Sequence, residues 1–178
     1  MRRLAFMVTL NTLCSLGVGL IGPIYPIFIL NRFSASIIDV GLLLTIFGFV
    51  SALFKAPAGK MIDVYGREKV FFTGAILGSL CSVAYIFTSD ILHLYILEFL
   101  SGISYALQNP ARLTLIVELT SKEDKGLLIG ISESIYDIAG SIATLIAVAM
   151  VSNLGFESIF FVCSGCQIIT GLLVIRYG

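Results

Sequence analysis

Six apolar runs, each about 20 residues or longer and separated by short polar connectors, decide what this chain can become. They lie at roughly 4–30, 37–58, 70–89, 91–119, 126–151 and 156–176. A run of that length crosses the hydrocarbon core as a helix, because a helix satisfies its own backbone hydrogen bonds where no water can. The expected fold class is therefore an all-α integral membrane protein with six transmembrane helices. Charged residues make up only 12% of the chain against 58% hydrophobic, too few to clothe a water-soluble globule, which excludes a soluble enzyme. The net charge is zero, and no basic cluster exists beyond Arg2-Arg3, so nucleic acid is not an expected partner. Cys14, Cys81, Cys163 and Cys166 all sit in apolar stretches and read as small core residues rather than a disulfide framework. The first run follows Met1-Arg2-Arg3 but is too long for a signal peptide and lacks a small-residue cleavage site, so it reads as a retained span.

With six spans both ends share a side. Arg2, Arg3, Lys55, Lys60, Arg67, Lys69, Arg112, Lys122, Lys125 and Arg176 fall at or near that side, and Arg32 alone falls on the other. Such a bias places both termini in the cytoplasm and the chain in the cell membrane. A shift of 89 residues superposes Gly41 on Gly130, Gly66 on Gly155, Glu68 on Glu157, Phe71 on Phe160 and Phe72 on Phe161 without a gap. Residues 1–178 thus read as a single six-helix bundle of two three-helix repeats, about 1–89 and 90–178. An odd number of spans turns the second copy upside down, so its loop between spans five and six faces outward. There the basic residues are gone: opposite Lys60, Arg67 and Lys69 stand Ala149, Phe156 and Ser158. Inverted repeats of this kind build many secondary transporters.

Between spans two and three runs Gly59-Lys60-Met61-Ile62-Asp63-Val64-Tyr65-Gly66-Arg67-Glu68-Lys69. This resembles the signature loop of the major facilitator superfamily, G-x-x-x-D-R-x-G-R-R/K, with Val64 where the first Arg is usual. Gly22-Pro23 and Pro26 resemble that family's first helix, Glu118 with Glu123, Lys125 and Gly126 its loop between helices four and five, and Gly155-Phe156 with Phe160-Phe161 the entry to its sixth helix. The resemblance implies that Gly59, Asp63, Gly66, Arg67 and Glu118 form a conformational signature cluster in which Arg67 meets Glu118. There are departures. Glu98 and Gly102 stand where proton-coupled members often carry R-x-x-x-G, and no Pro lies between Gly130 and Gly140, so proton antiport lacks support from motifs. Members usually have twelve helices. This chain resembles the N-terminal six, so it reads either as a fragment or as a half whose partner is a second six-helix half or a homo-oligomer.

Ionisable groups within spans are costly and are functional candidates for that reason. Lys55, near the inner end of its span, reads as an anchor that snorkels to the interface. Arg112 lies nine residues before Ser121 and Glu133 eight after Lys125, which puts both about 12–14 Å from the connector of their helices. Depth-matched, they read as a structural ion pair or as part of a polar pathway. Asp137 lies one turn further in on the face of Glu133, near the midplane where transporters of this kind bind substrate. Glu98 reads equally as a substrate or proton site and as a hydrogen-bonding partner of a neighbouring helix. Gln108 and Asn109, beside Pro110, are cavity candidates because proline frees a backbone carbonyl, whereas Asn11 and Gln167 read as helix–helix glue.

Enzymatic function is not expected. The sole histidine, His93, falls at the outer interface, Gly130-Ile131-Ser132-Glu133 lacks the small residue after a nucleophilic serine, and no D-G-x-x-A-R cluster is present. Cys163 and Cys166 lie within an apolar helix without a second pair, so neither metal nor cofactor is expected. The expected function is half of a secondary transporter that moves a small solute, with a proton as an optional second cargo, by alternating access in the lipid bilayer. A non-transporting membrane scaffold or inactive transporter fragment is the alternative.

Overall fold

The computed structural model describes residues 2–118 and 125–177. Ser121, Lys122 and Glu123, in the connector between spans four and five, lie outside the described residues. Among the described residues seven helices follow one another: α1 (Arg2–Ile21), α2 (Tyr25–Phe33), α3 (Ile37–Tyr65), α4 (Arg67–Phe87), α5 (Ile91–Glu118), α6 (Lys125–Leu154) and α7 (Phe156–Tyr177). Among the described residues they supply six segments long and apolar enough to cross a membrane, with α1 and α2 together forming the first. The fold is an all-helical, multi-pass membrane bundle.

Two boundaries differ from the sequence reading. The first span is broken at Gly22-Pro23-Ile24, where the ring of Pro23 ends α1 and α2 begins with Pro26 in its first turn. α3 runs on to Tyr65, so Gly59 to Asp63 are helix and the connector to α4 shrinks to Gly66. That glycine has φ +88°, a left-handed conformation that a side chain resists, and Gly155 between α6 and α7 repeats it at φ +82°. α3 starts on a capping box, in which Ser36 Oγ accepts from the Asp39 amide and the Asp39 carboxylate accepts from the Ser36 amide. Pro57 and Pro110 lie inside α3 and α5, as membrane helices tolerate.

The packing repeats itself. α3 packs along α5 as α6 packs along α1, α4 packs along α5 as α7 packs along α1, and α4 and α7 pack on each other. Advancing every span by three turns this set into itself, which is the pattern two inverted three-helix units make. Because bilayer lipid is as apolar as leucine, close van der Waals contact rather than burial from water must hold such helices together. Glycine provides it: a Cβ on Gly19 would lie 2.5 Å from the Gly140 carbonyl oxygen, and one on Gly102 2.9 Å from that of Phe47. Aromatic packing locks the Arg32 end, where Phe28 and Phe160 rings meet at 4.9 Å and Tyr85 stacks on Phe160 at 5.4 Å. Leu10, Phe71, Ala75, Ala111 and Val174 fill the Arg67 end. α1 and α5 are left without extensive contact.

Candidate functional site

That gap is a cavity of about 250 Å³, with α1 and α5 as its sides and α4 and α7 behind. Glu98 of α5 is the one carboxylate among the described residues that line it, buried in the wall. Its Oε1 accepts a hydrogen bond from Tyr85 Oη at 2.7 Å, and that hydroxyl lies 3.2 Å from Ser101 Oγ. Tyr25, first residue of α2, meets the Tyr85 ring edge-on at 5.6 Å and closes this corner. One turn along α5, Ser104 Oγ donates to the Gly74 carbonyl and accepts from Gln108 Nε2, both at 2.9 Å. Across from it Gln167 of α7 lies over Gly78, where a Cβ would collide with Gln167 Oε1. That oxygen is buried and has no hydrogen-bond partner among the described residues. Leu13, Val18, Ile21, Leu44 and Phe47 make the rest of the wall mostly apolar.

Arg112 lies one turn beyond Gln108, buried toward the Arg67 end. Its Nη1 donates to Asn11 Oδ1 at 2.7 Å, its Nη2 stands 3.1 Å from Glu133 Oε1, and its guanidinium lies 4.4 Å from the centre of the Tyr136 ring. Asn11 Nδ2 passes the network on to Ser132 Oγ at 2.5 Å. Three helices, α1, α5 and α6, are tied through one cation.

At the bundle end beyond this network, Arg67 contacts Glu118 at the close of α5 and holds Glu68 Oε1 3.1 Å from its Nε. Gly66 makes the turn that aims it there, Gly59 is a half-buried helical residue, and Asp63 is exposed two residues before the end of α3. At the opposite end Arg32 donates to Glu157 Oε1 at 2.7 Å and to the Ile86 carbonyl at 2.8 Å.

The family model described as Major Facilitator Superfamily matches residues 7–177. The chain belongs to the major facilitator superfamily. Among its relatives in the superfamily, the multidrug resistance protein MdtG of Escherichia coli O9:H4 (strain HS) is 28% identical over 165 residues, 90% of this chain and 40% of the relative. MdtG of Escherichia coli strain K12 / DH10B is 30% identical over the same length and shares. An uncharacterized MFS-type transporter of Methanocaldococcus jannaschii is 24% identical over 169 residues, 94% of this chain and 44% of the relative. The chain therefore spans about two fifths of the length of these superfamily members.

Of the residues singled out from the sequence, Glu98 and Gln108 line the cavity, and Arg112 and Glu133 meet beside it. Asp137 is exposed on α6 and outside the cavity wall, and Asn109 turns aside to donate to Tyr105 Oη at 2.7 Å. His93 is exposed at the start of α5. Tyr25, Tyr85, Ser101, Ser104 and Gln167 complete the wall, and one signal could have found part of it. Polar residues recur at 98, 101, 104, 105 and 108, a single stripe along α5.

Proposed function

We propose that this chain forms one side of a transport pathway. A six-helix bundle over 1–178, built of units about 1–89 and 90–178, rocks against a second six-helix bundle and opens the α1–α5 cavity to each side of the cell membrane in turn. The observation that carries this reading is Glu98, a buried carboxylate held by Tyr85 in a mostly apolar cavity inside a superfamily member. Such a wall suits an apolar solute bearing a positive charge or a hydrogen-bond donor, in keeping with the name multidrug resistance protein that MdtG carries. Glu98 is also the group that would carry a proton as second cargo. Gln108 flanks the solute, Arg112 with Glu133 forms the polar floor, and Asn109 and Asp137 lie at the rim of the pathway. Gly59, Asp63, Gly66, Arg67 and Glu118 act as the conformational latch on the cytoplasmic side, where the basic bias also puts both termini.

The test is flux of a fluorescent lipophilic cation in proteoliposomes, with the oligomeric state measured in parallel. Saturable flux is expected only when a second bundle is present, as a copy of the chain or a supplied complementary half, and Glu98→Gln should lower it at least tenfold. Saturable flux by a proven monomer overturns the half-transporter reading.

A further inference from the structure

Behind the cavity, α4 and α7 hold an amide that the wall does not satisfy. Gln167 of α7 is half-buried, and its Oε1 is a buried acceptor with no hydrogen-bond partner among the described residues. The hydroxyl and thiol groups around it do not supply one, because each gives its proton to a backbone carbonyl: Ser82 Oγ to Gly78 at 2.9 Å, Ser104 Oγ to Gly74 at 2.9 Å and Cys163 Sγ to Gly17 at 3.4 Å. The amide is held by Nε2, which lies 3.4 Å from both Ser82 Oγ and Cys163 Sγ. The first of these distances is long for an N–H···O bond. Ser82 Oγ and Cys163 Sγ have only lone pairs left to offer, so they also fix which end of the amide faces them. The oxygen is left over Gly78.

An acceptor left unpaired away from water costs free energy, and an apolar side chain of the same length would fill this wall without that cost. The amide is also free to leave. Glutamine turns about three side-chain bonds, Gln167 already lines the cavity, and turning it inward breaks no short hydrogen bond. Gly78 makes its resting place, since a Cβ there would collide with the amide. Gly78 faces both Gln167 and Ser104, and Ser104 lies six residues along α5 from Glu98. Amide and carboxylate therefore stand about 9 Å apart along the bundle.

We propose that Gln167 determines the specificity of this site: its amide swings out of the wall and accepts a hydrogen bond from an N–H or O–H group at the end of the solute remote from Glu98. The solute class is then a cation with a hydrogen-bond donor at its opposite end, and not an apolar cation alone. A site built to bond such a donor rejects the analogue that lacks it, because the acceptor then stays unpaired. Glu98 takes the charge, and Gln167 reads the far end. The proposal rests on the reading of the α1–α5 cavity as a solute site.

The experiment uses the full chain in lipid nanodiscs and two probes of matched shape and charge, 4-hydroxyphenyltrimethylammonium and its 4-methyl analogue, with affinities measured by equilibrium dialysis. The ratio of the two affinities isolates the donor. Gln167→Met keeps the side-chain length and removes the acceptor, and should shift the ratio about tenfold against the hydroxyl probe. Unchanged binding of the methyl probe shows that the variant folds. Gly78→Ala pushes the amide off the wall in advance and should raise affinity for the hydroxyl probe roughly threefold, leaving the methyl probe as it is. A purely structural role for Gln167 gives no such gain. Glu98→Gln should weaken both probes equally and leave the ratio alone. A ratio unchanged in Gln167→Met, or in Gly78→Ala if Gln167→Met does not fold, overturns the proposal, and the cavity reading stands if Glu98→Gln still weakens both probes. Saturable binding of neither probe also overturns the proposal, and flux of the lipophilic cation then decides the cavity reading by itself.

Discussion

Arg32 and Glu157 meet at 2.7 Å at the junction that the repeat assigns to Arg67 and Glu118 at the opposite end of the bundle. In each case the first turn of one helix, α7 or α4, is tied to the last turn of another, α2 or α5. The charges have changed places: the base is on α4 at one end, and the acid is on α7 at the other. Both side chains of the Arg32 pair are about one third to one half exposed, so solvent screens them and a coupling of about 0.5–1 kcal/mol is expected. A double-mutant cycle of Arg32→Ala and Glu157→Ala on stability checks this, and the coupling should shrink in high salt. A coupling of zero at low salt would mean that the contact contributes nothing.

Arg67 holds two carboxylates, Glu68 and Glu118, and a guanidinium can do so through separate nitrogens. Arg67→Lys should therefore keep one contact and lose the other. Its expected loss is about half that of Arg67→Ala, which itself should cost about 1 kcal/mol. Thermal unfolding in detergent orders the three proteins, and equal losses for Lys and Ala would show that only the two-handed geometry counts.

Arg112 is nearly sealed off, with 6% of its side chain exposed, whereas that of Glu133 is 42% exposed. The partners are thus unequal. Glu133→Gln strands a buried guanidinium with Asn11 as its remaining polar contact, at an expected cost of about 3 kcal/mol. Adding Arg112→Gln removes the stranded charge, so the double variant should be more stable than Glu133→Gln alone. Chemical denaturation of the three variants decides it, and additive losses would show that the two groups do not act as a pair.

Two glycines should respond to the same substitution in different ways. In Gly78→Ala the new methyl meets the tip of Gln167 and Ser104 Oγ at 2.5 Å, and side chains can move aside. The cost should be about 1–3 kcal/mol, and shortening the obstacle with Gln167→Ser should recover much of it. In Gly19→Ala the obstacle is the Gly140 backbone, so α1 and α6 must separate. The loss there should be larger, and no side-chain truncation should rescue it. Melting temperatures of the four proteins provide the comparison.

Spans were legible because the length of an apolar run depends on the bilayer alone. The depth of Arg112 and Glu133 was legible too, since rise per residue is constant. Helix ends were harder. α3 carries Lys60 and Asp63 beyond its most apolar stretch, and a helix that continues into polar sequence looks like a loop. The break after Ile21 left only Gly22-Pro23 as its mark, a pair that also occurs in unbroken membrane helices. The cavity was legible only in part. Glu98 and Gln108 stand out as polar letters in apolar sequence, but Tyr25 and Tyr85 come from different helices, and their meeting over Glu98 depends on packing that no spacing encodes. Asp137 could be given a depth without showing that it stands outside the cavity wall.

The interruption of the first span makes α2 a nine-residue lever about 13 Å long. Its near end, Tyr25, is part of the cavity wall, and its far end carries Arg32, which is moored to α7 and to the end of α4. A tilt of about 10° around the far end would carry Tyr25 about 2 Å, enough to change the width of the cavity beside Glu98. A continuous helix would have to bend to do the same. One ion pair at the rim thus anchors the far end of a helix whose near end, about two turns away, is part of the cavity wall.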